Sequence, residues 1–100
     1  MTKPIRVAAQ HGDLMGLTLK CIRERTPFVG GKNTFSGSWS ASGERFIIFS
    51  YDEPIAVWDG REWYLTEYKF SRTTSRHQSN IRRALSGTEY TPVQSRLMLY

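Results

Sequence analysis

The chain has 100 residues, a formal net charge of +5, a hydrophobic fraction of 39% and one cysteine, Cys21. That length holds a single core and leaves no room for a second one. The lone cysteine excludes an intrachain disulfide and a thiolate zinc site, and thirteen aromatic residues argue against a disordered chain.

In chain order, Ile5–Ala9 reads as a short strand. In the run LMGLTLKCI, Leu17, Leu19 and Cys21 alternate with Thr18 and Lys20, which predicts a strand over Leu14–Ile22, with Gly16 arguing against a long helix. Residues 26–34, with Pro27, Gly30, Gly31 and Asn33, read as a loop, and the pattern leaves open whether residues 1–30 are ordered. From residue 33 to 69 the chain is β-rich. Phe35, Gly37 and Trp39 alternate with small polar residues, as an amphipathic or edge strand would. Ala41–Glu44 is a turn, and the apolar run Arg45–Tyr51 predicts a central strand. Pro54 lacks a ladder donor, so a bend or bulge is expected after Asp52-Glu53. Asp59-Gly60 between Ile55–Trp58 and Arg61–Thr66 predicts a hairpin with a type I′ turn, pairing Trp58 and Trp63.

A helix is predicted over 74–86, capped by hydroxyls among Thr73, Thr74 and Ser75, with His77, Ile81, Ala84 and Leu85 on one face and Gly87 at its C-terminal end. Thr91-Pro92 is a breaker. Within 91–100, RLMLY is a last strand or a tail that docks on a partner. The expected fold is therefore α+β: a small, mainly antiparallel β-sheet with one principal α-helix packed on it.

Charge is segregated along the chain: residues 1–43 carry +4, residues 44–67 carry −4 and residues 68–100 carry +5. Between Tyr68 and Thr88 stand Lys69, Arg72, Arg76, Arg82 and Arg83 and no carboxylate. Arg76, Asn80 and Arg83 share a helix face, and Arg82 lies near Ser75 and Ser79. Guanidinium groups serve phosphate or guanine and amides serve adenine, so this mixture points to a nucleic-acid-binding helix. For any single arginine a solvated helix back is the better explanation; for the group, binding is. An acidic protein partner would satisfy the same field.

Other candidates are weaker. His77 is accompanied only by His11, with no carboxylate at metal-site spacing, so a core-edge histidine bonded to a carbonyl or a strand side chain is favoured over a general base. Cys21, between Leu19 and Ile22, reads as a small core residue. Gly30-Gly31-Lys32 lacks the spacing of a phosphate loop. Trp39, Trp58 and Trp63 could form a base-stacking surface, although core filling is the favoured role. No catalytic constellation, cofactor motif or metal site emerges. The apolar runs fall short of the roughly 20 residues of a bilayer span, and MTKPIRVAAQHGD lacks a signal-peptide core, so a soluble intracellular protein is expected, with homo-oligomerisation open.

The stretch from Phe49 to Leu85, through Ser50, Tyr51, Pro54, Ile55, Ala56, Thr73, Thr74, His77 and Gln78, resembles a family of unknown function found in small proteins of bacteriophages and their hosts. The resemblance covers a little over a third of the chain. It implies a phage-type accessory protein of the host cytoplasm that binds DNA, or alternatively a host-directed inhibitor that docks on a host protein. It carries no enzymatic activity with it.

Overall fold

The structure, a computed structural model, describes residues 4–7, 12–30 and 34–97. Its elements in chain order are β1 (Ile5–Val7), α1 (Gly12–Glu24), β2 (Phe28–Gly30), β3 (Phe35–Trp39), β4 (Phe46–Ser50), β5 (Glu53–Trp58), β6 (Trp63–Thr66), α2 (Arg72–Ala84) and β7 (Tyr90–Val93). All seven strands form one sheet in sequence order. The four junctions from β2 to β6 are antiparallel, and the two outer ones, β1–β2 and β6–β7, are parallel.

Parallel neighbours require a crossover, and each helix supplies one. Four antiparallel steps bring β6 back to the direction of β2, and both crossovers advance the same way along the sheet. Crossovers of one hand then place both helices on one face. They do lie together: α1 packs on α2, and the Arg23 Nε–H in the last turn of α1 donates to the Ala84 carbonyl in the last turn of α2 at 2.9 Å. Beneath them, Phe28, Gly37, Ile48, Ala56 and Leu65 form one cross-strand row of the core.

The mainly antiparallel α+β architecture matches expectation, but with two helices rather than one. The segment read as a strand over Leu14–Ile22 is α1. Thr18, Cys21 and Ile22, at i, i+3 and i+4, are its buried face, and Gly16 sits on the solvent side, where it leaves no gap in the core. The expected loop at 26–34 contains β2, whose Phe28 is fully buried. Strand β3 is interior, third of seven, rather than an edge.

Helix α1 ends in a Schellman motif: Thr26 N–H reaches Cys21 O at 2.8 Å and Arg25 N–H reaches Ile22 O at 3.2 Å. The left-handed position, φ 54°, is held by Arg25 rather than glycine. Its carbonyl accepts from Trp39 Nε1 at 3.1 Å and its guanidinium lies 4.3 Å over the Trp58 ring, which offsets the strain.

The bend expected at Pro54 is a bulge. Register shifts between Ile48 and Phe49, so Ile55 is the extra residue of β5, and both Ile55 and Ala56 enter the core. The β5–β6 hairpin forms with Trp58 opposite Trp63, but its turn is not type I′. Positive φ occurs at Gly60 and not at Asp59, and the loop spans Asp59–Glu62, closed by Asp59 N–H to Glu62 O at 3.2 Å. The Asp59 carboxylate accepts the N–H groups of Arg61 and Glu62, both at 2.9 Å.

At the C-terminal end, Thr91-Pro92 does not break the chain but belongs to β7. On an edge strand the missing proline donor is tolerated. Of the proposed RLMLY strand, Arg96 is bonded to Glu53 through Nε and a second nitrogen, at 3.1 and 2.8 Å, and Leu97 is buried. Residues 98–100 lie outside the described residues, as do Ala8, Ala9, His11 and Lys32.

Candidate nucleic-acid interface

Helix α2 begins earlier than expected. Its N-cap is Ser71, whose Oγ accepts Thr74 N–H at 3.1 Å, because the hydroxyls of Thr73, Thr74 and Ser75 are already inside the first turn. Gly87 takes the left-handed conformation expected of it, at φ 85°, but in the turn beyond the C-cap Leu85, because the helix ends at Ala84 rather than at residue 86.

Three polar residues of α2 fix its rotation. The hydroxyl of Ser50, at the end of β4, sits 2.8 Å from Thr74 Oγ1 and 2.7 Å from His77 Nδ1. The His77 ring stacks on Phe35 at 4.3 Å with 6° between planes. Gln78 Nε2 donates to the carbonyls of Thr66 at 2.7 Å and Tyr68 at 3.2 Å. With Ile81 and Ala84, these residues form the buried face.

Turning that face inward sends the arginines outward. At about 100° per residue, Arg72, Arg76 and Arg83 fall within about 40° of one another around the helix axis. They line a shallow depression of ≈ 430 Å³ with Ser75, Ser79 and Asn80. Arg72 and Arg83 lie eleven residues apart, about 16 Å along the axis. No ion pair engages these three guanidinium groups among the described residues.

The remaining predicted cations are placed otherwise. Arg82 turns off the stripe toward Glu67, 3.9 Å away, and Lys69 is exposed on the loop leading into α2. Helix α1 contributes exposed Lys20 and Arg23 to the same layer. The sequence reading missed these because it took their segment for a strand. The i, i+3, i+4 spacing of Thr18, Cys21 and Ile22 was the available signal.

The acidic block is spent in hairpin turns or in pairing. Glu53 holds Arg96, Glu67 faces Arg82 and Gln94, and Asp59 closes its own turn, whose backbone N–H groups hold its carboxyl below the usual range. The Tyr64 phenol beside Glu62 is pushed up to about 12.

The alternative sites find core roles. His77 is 9% exposed and burial lowers its pKa to about 4, while Ser50, its partner, is 1% exposed. This is the strand side-chain bond expected of a core-edge histidine. Cys21 is buried and its thiol is pushed up by that burial. Among the described residues, no three His, Cys, Asp or Glu side chains cluster as metal ligands would, and no helix is long and apolar enough to cross a membrane. The tryptophans make no shared platform: Trp63 is 1% exposed, Trp58 lies under Arg25, and Trp39 alone is open, at 39%.

No curated protein and no solved structure matches this chain. Residues 17–94, more than three quarters of its length, match a family of unknown function, and that span runs from α1 through β7 and includes every residue of the α2 stripe. The chain belongs to this family, DUF8033.

Proposed function

We propose that the protein is a non-catalytic accessory protein that binds nucleic acid through the outer stripe of α2. One observation carries this reading: Arg72, Arg76 and Arg83 project together from a helix whose rotation is locked by Ser50, Phe35 and Thr66, and no carboxylate answers them among the described residues. A fixed row of unneutralised guanidinium groups is a phosphate-binding surface. Asn80 alone offers an amide toward bases, so contacts to the backbone dominate and sequence tolerance follows. The setting we propose, on the strength of the resemblance through Ser50, Tyr51, Thr74 and His77, is that of a phage or prophage protein acting in the host cytoplasm.

The test is binding to duplex and single-stranded DNA and RNA across salt. Affinity should fall steeply between about 50 and 200 mM salt, with a log–log slope near −0.9 per duplex phosphate engaged. The variant Arg72→Gln/Arg76→Gln/Arg83→Gln should lose most of that slope while keeping its melting temperature. No binding at about 50 mM salt, or an unchanged slope in the variant, overturns the proposal. A nuclease-insensitive complex with an acidic host protein would support the inhibitor role instead.

A further inference from the structure

Between the last turns of the two helices lies a notch of ≈ 530 Å³ lined by Leu19, Arg23, Arg82, Arg83 and Ser86. It gathers three guanidinium groups from segments about sixty residues apart, with a hydroxyl beside them. Among the described residues, no carboxylate lines it. Glu67 reaches Arg82 from one side at 3.9 Å, and Glu24 and Glu89 are exposed on neighbouring segments.

Helix C-termini ordinarily repel anions through their free carbonyls. Here most of the α2 carbonyls are occupied. Ile81 O accepts from Leu85 N–H at 2.9 Å, Arg83 O from Ser86 N–H at 3.2 Å, Leu85 O from Thr88 N–H at 2.8 Å, and Ala84 O from Arg23 Nε–H at 2.9 Å. The last bond also orients Arg23: with Nε committed, its terminal nitrogens keep their donors for another partner. Arg83 is shared with the α2 stripe, so notch and stripe form one continuous cationic track.

We infer that this notch is a phosphate-binding subsite, in which Arg23, Arg82 and Arg83 hold one phosphate group and the Ser86 hydroxyl donates to it. The planar fork of arginine suits that geometry. As the seat of a backbone phosphodiester the subsite rests on the nucleic-acid reading above; a free phosphate is the other source of the same chemistry.

The experiment follows arginine Nε–Hε resonances of the full chain. One arm adds inorganic phosphate at constant ionic strength, and the other adds a short single-stranded oligonucleotide. Phosphate should shift Arg23, Arg82 and Arg83 saturably and leave Arg45 and Arg61, which do not line the notch, in place. The oligonucleotide should shift the same three together with Arg72 and Arg76. Arg23→Lys, which keeps charge but loses the fork, should weaken phosphate binding about fivefold or more, and Ser86→Ala on the exposed rim about twofold. Non-saturating shifts spread over all exposed arginines overturn the subsite. So does Arg23→Lys binding phosphate as the parent does; if the oligonucleotide still binds with its salt slope intact, the α2 reading survives alone. Saturable, Arg23-dependent phosphate binding without oligonucleotide binding supports the subsite and removes the nucleic-acid reading.

Discussion

Ser50 at the end of β4 and His77 within α2 are 27 residues apart in sequence and 2.7 Å apart in space. Their bond belongs to a chain of hydroxyls. Ser71 Oγ donates to Thr74 Oγ1 at 3.2 Å, and Thr74 Oγ1 lies 2.8 Å from Ser50 Oγ. A donor order that uses each proton once runs from Ser71 to Thr74 to Ser50 to His77 Nδ1, leaving a neutral imidazole with its proton on Nε2. This relay sets the rotation of α2 and so decides which arginines face solvent.

Ser50→Ala is expected to destabilise the protein by about 1–3 kcal/mol, because it strands two buried partners at once. Urea denaturation of Ser50→Ala, His77→Ala and the double variant should show non-additivity of about 0.5 kcal/mol or more. Independent, additive effects would mean that Ser50 and His77 do not act as one unit.

Acid should loosen the same joint. The imidazole of His77 titrates at about 4 in the folded chain instead of 6.5, because burial disfavours its charged form. Between those values the unfolded chain binds a proton that the native state refuses, so native stability falls as pH drops from about 6.5 to about 4. The loss from this group is on the order of 2–3 kcal/mol. In His77→Gln that part of the acid limb should flatten. Parallel stability–pH curves for parent and variant between pH 7 and 4 would contradict the assignment.

How far the sequence carried can be traced residue by residue. Strand β4, the pairing of Trp58 with Trp63, the apolar row of α2 and the left-handed Gly87 are local patterns, and they appear as read. Helix α1 was lost because Leu17, Leu19 and Cys21 alternate by coincidence, while its real buried face, Thr18, Cys21 and Ile22, includes a polar residue that does not look like core. Strands β2 and β7 are three and four residues long and exist because crossovers deliver them beside the parallel neighbours β1 and β6, a long-range cause without a local signature. The arginines were legible as a group. Which are free and which are paired was not, because Glu67 and Arg23 reach α2 only through the fold.

Two glycines should respond oppositely to alanine. Gly37 sits mid-strand where an added Cβ would lie 2.6 Å from Phe28 Cε1 and 2.9 Å from Phe46 Cζ, both buried rings. Gly37→Ala should cost about 1–3 kcal/mol through overpacking. Gly16 lies on the exposed side of α1 with nothing within 4 Å of its would-be Cβ. Gly16→Ala should therefore stabilise by about 0.5–1 kcal/mol. Thermal melts of the pair also test the corrected assignment of this segment. In a strand at residues 14–22 Gly16→Ala would bring no helix-propensity gain, so a neutral or destabilising result would count against α1.

Among the described residues, Glu67 is the one carboxylate paired with an arginine of the cationic track. Its pair with Arg82 is long, at 3.9 Å, and both side chains are more than a third exposed. Such a pair contributes little to stability, commonly about 0–1 kcal/mol. Its greater effect is on the field, since one negative charge is removed from the face proposed to bind a polyanion when Glu67 becomes Gln. The amide oxygen can still accept from Gln94 Nε2, now at 3.2 Å from Glu67 Oε1, so the local packing is retained. Glu67→Gln should therefore bind a nucleic-acid probe more tightly at about 50 mM salt, by about two- to fivefold, chiefly through faster association, and the gain should shrink as salt rises. Its melting temperature should move by only a degree or two. Unchanged affinity at low salt would place the bound polyanion away from Arg82, and so away from the C-terminal half of α2.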